Sequence, residues 1–515
     1  MNGAESLVKT MLASGVETCF ANPGTSEMHF VAALDDHPEM RCVLCLFEGG
    51  TSGAADGYFR MARKPAATML HLAPGFGNAF SNLHNARKAG SAVVNVMGEH
   101  ATYHLKYESP LKGDTDGISR AISHWTRTSE TALDVAGDGA AAIRAARMKN
   151  GQIATLILPA NTAWGDGAAP VEAAAPPPLL RPSDDLLDAA AEALRQPDSA
   201  LLVGGLALFG PGRDLASRVA AGAGCRLLAP LHAARLDRGA GSLPIEQLVY
   251  VIEANQKILA GLKHLVTCGT GAPVNFFAYP GKGSVPTPPD CHILDLCDGT
   301  MDVEYALSEL ARRLNAPDNP PAPVPLDLPE MPEPDADLTP ETAAAVIARH
   351  IPENAILVNE SVTAGAPLAG ATYAARRHDW LPTMGGAIGQ GLPAAVGAAV
   401  ACPDRKVIAL SGDGSAMYTL QSLWTMARER LDVTVVIYAN RGYQILHGEL
   451  KNLGVTRVGR NAHAMFDVED PLLDWVSMAR GHGVPASKVT TPGELSTALQ
   501  TGLDTAGPYL IEVTL

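Results

Sequence analysis

Gly412-Asp413-Gly414-Ser415 follows one apolar run of the chain after a single serine, and Ala439-Asn440-Arg441-Gly442-Tyr443 directly follows the next. The two runs, Val407–Leu410 and Val433–Tyr438, have the length and β-branched composition of buried strands. Neighbouring parallel strands of an open α/β sheet bind ligands at their carboxyl ends, so we expect the two polar segments to meet there. The glycines allow the backbone to approach a phosphate, and the Asp and Asn side chains offer the oxygen ligands that Mg²⁺ or Ca²⁺ prefers. The pair therefore predicts a metal ion that clamps a diphosphate.

A candidate catalytic carboxylate lies near the start of the chain. The run Val43–Phe47 predicts a buried strand, and Glu48 follows it at the start of a segment rich in glycine and alanine, Gly49–Tyr58. A carboxylate between an apolar strand and a closely packed helix is expected to be desolvated, which suits a group that shares a proton. A role as a helix cap or a structural ion-pair partner is the alternative for Glu48.

The spacing of Gly-Asp-Gly and the later Asn resembles the motif of thiamin-diphosphate enzymes. The resemblance implies that Asp413, Asn440 and the main-chain carbonyl of Gly442 hold Mg²⁺, and that Glu48 is the carboxylate that activates the cofactor through its pyrimidine ring. These enzymes usually have Asn-Asn where this chain has Ala439-Asn440. The ligand position is the second of the two, so the substitution leaves the metal ligand in place.

Further segments are similar to benzoylformate decarboxylase, within the larger group of acetohydroxyacid synthases and pyruvate decarboxylases. They are Asn22–Glu27, Leu70-His71, Asn359–Ser361 and Gly385–Pro393. The resemblance implies that the Gly386 carbonyl accepts the 4′-amino group of the cofactor and that Ile388 bends the cofactor into its reactive shape. It also implies contacts with the diphosphate or thiazolium from Ser361, Gly412, Gly414, Ser415 and Tyr443.

Histidines are the candidate proton donors of the substrate pocket. By the same resemblance, His71 matches one of two pocket histidines, and Thr25 stands where the family has a serine that binds the substrate carboxylate. Ala278 falls where the second histidine would be, and Leu446 replaces a glutamate of the pyruvate decarboxylases. His100 is therefore a candidate substitute donor, whereas we expect His84 and His104 to be structural or surface residues.

Composition limits the class of protein. The formal net charge of −15 argues against nucleic acid or an anionic membrane surface as a partner. The chain shows neither a membrane-spanning apolar run nor a signal peptide, and its eight cysteines are expected to be reduced thiols, so we expect a cytoplasmic protein. Cys42 and Cys45 form a C-x-x-C inside the first predicted strand, and we expect both to pack in the core.

Two stretches rich in proline and alanine, at 165–182 and 315–340, divide the chain. They predict three α/β domains built as doubly wound parallel sheets: a pyrimidine-binding domain at 1–165, a central domain at 183–314 and a diphosphate-binding domain at 338–515. Relatives such as acetohydroxyacid synthases carry FAD in the central domain. The glycine turns Gly204-Gly205 and Gly269–Gly271 lack a clear dinucleotide fingerprint, so we expect no FAD.

The resemblance implies an enzyme that decarboxylates a small 2-oxo acid through an enamine, as benzoylformate decarboxylase does. The alternative is an acetolactate synthase-like carboligase or C–C lyase, which the loss of one proton donor favours, and a third option is a non-catalytic paralogue that binds the cofactor. The resemblance further implies a homodimer whose active sites combine Glu48 of one chain with Asp413 of the other, and a homotetramer of two such dimers.

Overall fold

The structure is a computed structural model that describes residues 1–319 and 321–515. Pro320, in the second proline-rich stretch, lies outside the described residues. The described residues form three separate β-sheets flanked by helices, which confirms the α/β class and the predicted parallel sheets. Within these residues, no helix is long and apolar enough to cross a membrane.

The first sheet contains six parallel strands in the order β2-β1-β3-β4-β6-β5. Its strands are β1 Thr18–Ala21, β2 Arg41–Leu44, β3 Ala66–Leu70, β4 Val93–Glu99, β5 Trp125–Thr128 and β6 Ile153–Pro159. These strands form the first segment of the chain together with the helices α1 Gly3–Ala13, α2 Met28–Asp35, α3 Glu48–Ala62, α4 Leu72–Ala89, α5 Thr115–Arg120, α6 Val135–Arg147 and α7 Ala160–Trp164.

The second segment contributes six strands, five of which form the parallel sheet β10-β8-β7-β11-β12. The strands are β7 Ser199–Val203, β8 Arg226–Ala229, β9 Leu236–Arg238, β10 Glu246–Gln247, β11 His264–Cys268 and β12 His292–Cys297. The helices are α8 Asp184–Arg195, α9 Gly210–Ala223, α10 Ile252–Ile258 and α11 Val303–Arg313.

The third sheet has the order β17-β18-β16-β15-β13-β14-β9, so it includes β9 of the preceding segment. Its own strands are β13 Ala355–Glu360, β14 His378–Pro382, β15 Val407–Gly412, β16 Val433–Ala439, β17 Ala486–Val489 and β18 Tyr509–Thr514. The helices are α12 Pro340–His350, α13 Leu368–Ala371, α14 Gly391–Ala401, α15 Asp413–Ala416, α16 Ser422–Arg428, α17 Gln444–Asn452, α18 Arg460–Phe466, α19 Trp475–Gly481 and α20 Pro492–Asp504. β9 pairs antiparallel with β14, whereas the other pairings of this sheet are parallel. The sequence analysis did not predict this exchange of a strand; the domain boundaries themselves remain a prediction.

The first and third segments pack through α3 and α14, both of which are almost entirely buried. A Cβ atom on Gly57 would lie 2.1 Å from the carbonyl oxygen of Ala394, and one on Gly397 would lie 1.9 Å from that of Ala54. Only glycine allows the two helix backbones to come this close. The Gly- and Ala-rich stretch after Glu48 is thus explained by helix packing.

The strand before Glu48 differs from its prediction. β2 ends at Leu44 and lies at the edge of the first sheet, so Arg41 and Cys42 are exposed, and Leu46 beyond the strand is 46% exposed. The expectation that Cys42 packs in the core was therefore wrong, whereas Cys45 is buried. An edge strand has a neighbour on one side only, which leaves part of its surface uncovered.

Candidate active site

The two polar segments of the motif lie at the carboxyl ends of two adjacent strands of the third sheet, as predicted. β15 and β16 are adjacent and parallel, and Gly412 pairs in register with Tyr438. Asp413 begins α15 directly after β15, and Asn440 directly follows β16. The structure therefore brings Asp413, Asn440 and Gly442 to neighbouring strand ends.

Asp413 is a buried carboxylate with an exposed fraction of 3%. Its Oδ1 accepts a hydrogen bond from the Gly414 N–H (2.8 Å) and its Oδ2 accepts one from the Arg441 N–H (2.8 Å). Burial raises the pKa of Asp413 above its usual value, and the two backbone donors act in the opposite direction. Among the described residues, no Lys, Arg or His side chain forms an ion pair with Asp413. A buried carboxylate held by backbone donors and without a cationic partner is the donor set that fits a divalent metal ion.

The residues around Asp413 form a close cradle. The ring of Tyr443 lies against Gly414, where an added Cβ would be 2.6 Å from its Cε1 atom. Asn440 Oδ1 is 3.4 Å from the N–H of Gly442. Ser415 is buried in the same short helix. A Cβ on Gly412 would meet only Ser415 Oγ at 3.8 Å, so there is room at Gly412 for the diphosphate of the expected cofactor.

The loop between β14 and α14 carries the other predicted cofactor contacts. Gly386 has φ +78°, a backbone conformation that side chains with a Cβ rarely adopt, and Ile388 is half-buried. The loop is fastened by Glu360 at the end of β13, whose carboxylate accepts hydrogen bonds from the N–H groups of Gln390 (2.8 Å) and Gly391 (3.1 Å). Burial raises the pKa of Glu360. Ser361, the next residue, is buried and donates to Asn359.

Glu48 is the first residue of α3 and is buried, with an exposed fraction of 7%. Its Oε2 accepts a hydrogen bond from Asn78 Nδ2 (2.9 Å) on α4. A Cβ on Gly75 would lie 2.8 Å from Glu48 Oε1 and 3.3 Å from His71 Cβ. Both predicted residues thus lie next to Gly75, Glu48 through its carboxylate and His71 through its Cβ atom.

His71 lies at the end of β3 and is held by a buried carboxylate that the sequence analysis did not select. Its Nδ1 is 2.8 Å from Glu27 Oε2, and Glu27 is 3% exposed. Glu27 also accepts hydrogen bonds from the Gly24 N–H (2.9 Å) and from the Ser26 hydroxyl. Thr25, in the same short 3₁₀ turn, is exposed.

The remaining histidines occupy different surroundings. His100 Nε2 is 3.1 Å from the hydroxyl of Ser109, and the backbone N–H of His100 donates to Glu99 Oε1 (2.7 Å). His84 Nε2 is 3.2 Å from the carbonyl oxygen of Gly385, so it connects the first segment to the cofactor loop, and His104 is exposed. Ala278 is also exposed.

Side chains of α3 and α4 link the Glu48 region to the cofactor loop within the same chain. Asn82 Nδ2 donates to the carbonyl oxygens of Gly49 (2.8 Å) and Gly389 (3.1 Å). Asp56 of α3 accepts from Gln390 Nε2 (2.6 Å) and pairs with the buried Arg60. Among the described residues, no hydrogen bond joins Glu48 to the side chains at Asp413 and Asn440. The expectation that those two regions meet across a dimer stays a prediction.

Comparisons with known proteins agree with this geometry. Residues 1–122 match the N-terminal TPP binding domain of thiamine pyrophosphate enzymes, and residues 366–513 match the C-terminal TPP binding domain. A Mycobacterium tuberculosis protein, provisionally named acetolactate synthase large subunit IlvX, is 48% identical over 522 residues, covering 100% of this chain and 99% of the relative. This chain belongs to the thiamine pyrophosphate enzyme family.

Two further relatives of this family are named decarboxylases. Benzoylformate decarboxylase of Pseudomonas aeruginosa is 30% identical, over 97% of this chain and 96% of the relative. The solved structure of the Rhodococcus jostii thiamine diphosphate-dependent 4-hydroxybenzoylformate decarboxylase is 26% identical with a TM-score of 0.86, over 100% of this chain and 99% of that one. The comparisons thus confirm the family that the motif indicated. It includes decarboxylases and acetolactate synthases, and its cofactor is thiamin diphosphate.

Glu27 and Asn78 are the residues of this site that the sequence reasoning missed. Each acts on a partner distant in sequence, Glu27 on His71 and Asn78 on Glu48. Only Glu27 carried a signal, since it ends the family-like segment Asn22–Glu27.

Proposed function

We propose that this enzyme decarboxylates a 2-oxo acid and releases an aldehyde, with Glu48 activating the cofactor and His71 handling the proton of the product. The observation that carries the proposal is that Glu48 and the Glu27-bound His71 both lie next to Gly75. A carboxylate and a histidine beside the same glycine provide both proton-transfer groups of the reaction.

Thiamin diphosphate, when bound, supplies the electron sink for the carbanion that loss of CO₂ creates. Glu48 then holds a proton against the pyrimidine ring. Its burial keeps water from competing for that proton, and the hydrogen bond from Asn78 fixes the orientation of the carboxylate. Glu48 is proposed as a catalytic residue and Asn78 as a positioning residue.

His71 is proposed to donate the proton that converts the decarboxylated product into an aldehyde. The carboxylate of Glu27 accepts a hydrogen bond from the Nδ1–H of the ring and thereby orients the imidazole. No described residue forms a hydrogen bond with the other ring nitrogen, Nε2, which leaves it for the substrate. Thr25 is proposed to bind the substrate carboxylate through its exposed hydroxyl.

The metal and cofactor ligands are proposed as follows. Asp413, Asn440 and the carbonyl of Gly442 hold Mg²⁺, because they supply hard oxygen atoms at neighbouring strand ends and Asp413 has no cationic partner among the residues described. The cofactor is bound by Gly386, Ile388, Ser361, Gly412, Gly414, Ser415 and Tyr443. We further propose a homodimer with shared active sites that assembles into a homotetramer.

Carboligation is the second candidate function, and Ala278 favours it. This position carries no proton donor and is exposed, so one of the two pocket histidines of the decarboxylases has no counterpart there. With fewer proton donors in the pocket, protonation after the loss of CO₂ would be slower, and addition to a second carbonyl would be favoured. The relative named acetolactate synthase supports the same outcome. His100 would then be the substitute donor to test.

Product analysis separates the two candidates. The enzyme, supplied with thiamin diphosphate and Mg²⁺, is given pyruvate or benzoylformate, with and without acetaldehyde, and Glu48→Gln serves as the inactive control. Decarboxylation predicts equal amounts of CO₂ and free aldehyde. A deficit of aldehyde matched by a 2-hydroxy ketone or acetolactate would instead establish the carboligase. Tight cofactor binding with no turnover of any of these substrates would favour the non-catalytic paralogue.

His71 needs a separate test, because an inactive variant alone does not show which step fails. His71→Ala should preserve hydrogen–deuterium exchange at C2 of the bound cofactor, which depends on Glu48, while it lowers turnover of the 2-oxo acid. Glu27→Gln should also lower turnover while it preserves C2 exchange, since the carboxylate that orients the His71 ring is lost. Unchanged turnover in His71→Ala would make His71 a packing residue.

A further inference from the structure

A large cavity lies between the second and third segments, on the side of the third sheet where β9 is added. Its volume is about 1100 Å³, and its walls come from α9, the chain from β8 to Val251, and the segment 359–373 after β13. Most of the lining is apolar and includes Leu236, Ile245 and Trp380. A volume and an apolar lining of this kind match sites that hold a small organic molecule.

Two buried arginines interrupt this apolar lining. Arg213 of α9 is 2% exposed and Arg238 of β9 is 6% exposed. Each donates to one backbone carbonyl, Arg213 to Leu243 and Arg238 to Ala369. Nε and Nη1 of Arg213, and Nη1 of Arg238, have no hydrogen-bond partner within residues 1–319 and 321–515. Each guanidinium thus has N–H groups that are both buried and unsatisfied.

No carboxylate forms an ion pair with either arginine in the described part of the chain, although the negative charges of Asp237 and Asp214 raise the pKa of Arg213. The acidic residues of the lining are already committed, Asp237 to Arg377 and Glu246 to Arg226. A buried cation without an ion-pair partner has a cost in stability, and an unsatisfied N–H adds to that cost.

Both arginines remain charged at neutral pH despite this cost. Burial lowers the pKa of each guanidinium to about 10, which is still well above neutrality. The ring of Trp380, 4.9 Å from the Arg238 guanidinium, offsets part of the cost for that residue. Tyr373 lies near both guanidinium groups, lines the same cavity and is 38% exposed.

We propose that this cavity binds a small organic anion, a carboxylate attached to an apolar body. The carboxylate accepts hydrogen bonds from Arg213 and Arg238, and the apolar body packs against Leu236 and Ile245. Ser217, whose buried hydroxyl also lacks a partner among the described residues, lines the same wall. The inference does not depend on the proposed reaction.

The site is distinct from the candidate active site but adjoins it. None of the residues proposed to bind the metal or the cofactor lines the cavity. Its lining includes Asn359 and Val362, which flank Ser361 in the chain, and Asn359 Oδ1 accepts a hydrogen bond from the Ser361 N–H (3.2 Å).

Calorimetric titration of the full chain with sodium octanoate tests the proposal, with thiamin diphosphate and Mg²⁺ present and chloride matched in all solutions. Arg213→Met and Arg238→Met remove the charge while keeping most of the side-chain volume. Arg218→Met is the matched control, because Arg218 lies on the same helix and interacts with Asp318 and the carbonyl of Pro317. We expect the parent and the control to bind octanoate equally, and each cavity variant to bind it at least tenfold more weakly.

A ligand series keeps the test informative even if a cavity variant fails to fold. On the parent protein, octanol should not bind, because it lacks the carboxylate, and inorganic phosphate should compete only weakly with octanoate, because it lacks an apolar body. Equal octanoate binding by folded cavity variants would overturn the proposal, as would octanol binding as tight as octanoate. No octanoate binding at millimolar concentration, or phosphate binding tighter than octanoate, would overturn it equally.

Discussion

Replacing Gly75 by alanine should displace the Glu48 carboxylate without disturbing the fold. The new Cβ would lie 2.8 Å from Glu48 Oε1, whereas ordinary contact begins at 3.4 Å, so the carboxylate must move by about 0.6 Å. Such a movement also lengthens the 2.9 Å hydrogen bond from Asn78. Misplacement of a reacting group by about 1 Å can cost about 100-fold in rate. We therefore expect exchange at C2 of bound thiamin diphosphate to slow by about ten- to a hundredfold.

Gly77, two residues further along α4, provides the matched control. A Cβ there would meet only Ile118 Cδ1 at 3.8 Å, which is ordinary contact. Both substitutions replace a helical glycine by alanine, a change that favours the helix by roughly 0.5–1 kcal/mol. Gly77→Ala should therefore unfold at the same or a higher temperature than the parent and exchange the C2 proton at the parent rate.

Two measurements decide the outcome: quenched NMR of C2 hydrogen–deuterium exchange, and thermal unfolding of each variant. A folded Gly75→Ala protein that exchanges as fast as the parent would refute the placement of Glu48 as the activating carboxylate. Slowing of the same size in Gly77→Ala would show that the effect comes from the helix and not from Glu48.

Three further predictions concern the metal, the subunits and pH. Asp413→Ala should abolish the dependence of thiamin diphosphate affinity on Mg²⁺, measured by calorimetry; an unchanged Mg²⁺ dependence would exclude Asp413 as a ligand. Heterodimers of Glu48→Gln and Asp413→Asn chains, purified through different tags, should regain activity that both parents lack, because one of the two shared sites carries neither lesion; inactive heterodimers of confirmed composition would exclude shared sites. Burial lowers the pKa of His378 from 6.5 to about 4. Between these pH values the unfolded chain binds a proton that the folded chain does not. The free energy of unfolding should therefore fall by up to about 3 kcal/mol as the pH drops from 6.5 towards 4. His378→Phe should flatten this fall in urea unfolding at several pH values, and an identical pH dependence would contradict the assignment.

The sequence allowed prediction of those parts of the site that depend on local pattern. Asp413 and Asn440 each follow a strand with an apolar run. Both strands, and the meeting of their carboxyl ends, could therefore be predicted. The pairing of Glu27 with His71 could not, because a hydrogen bond between residues 44 apart depends on how the 3₁₀ turn Thr25–Glu27 and the end of β3 are placed in three dimensions.

Edge positions were the other source of error. The apolar run 43–47 has the composition of a buried strand, but periodicity does not reveal which strand ends a sheet. β2 proved to be such a strand, and Cys42 is exposed as a consequence. The strand β9 escaped prediction for a related reason: three residues, Leu236–Arg238, are too short a pattern to indicate a strand or its partner.

The position of β9 also determines how the chain can be divided. A fragment beginning at residue 338 would contain every strand of the third sheet except β9, and would lose the ion pair between Asp237 and Arg377. The backbone groups of β14 that now bond to Leu236–Arg238 would then face solvent, where an unpaired strand edge recruits other chains. We infer that this fragment would self-associate, and that limited proteolysis between the second and third segments would release no soluble C-terminal piece.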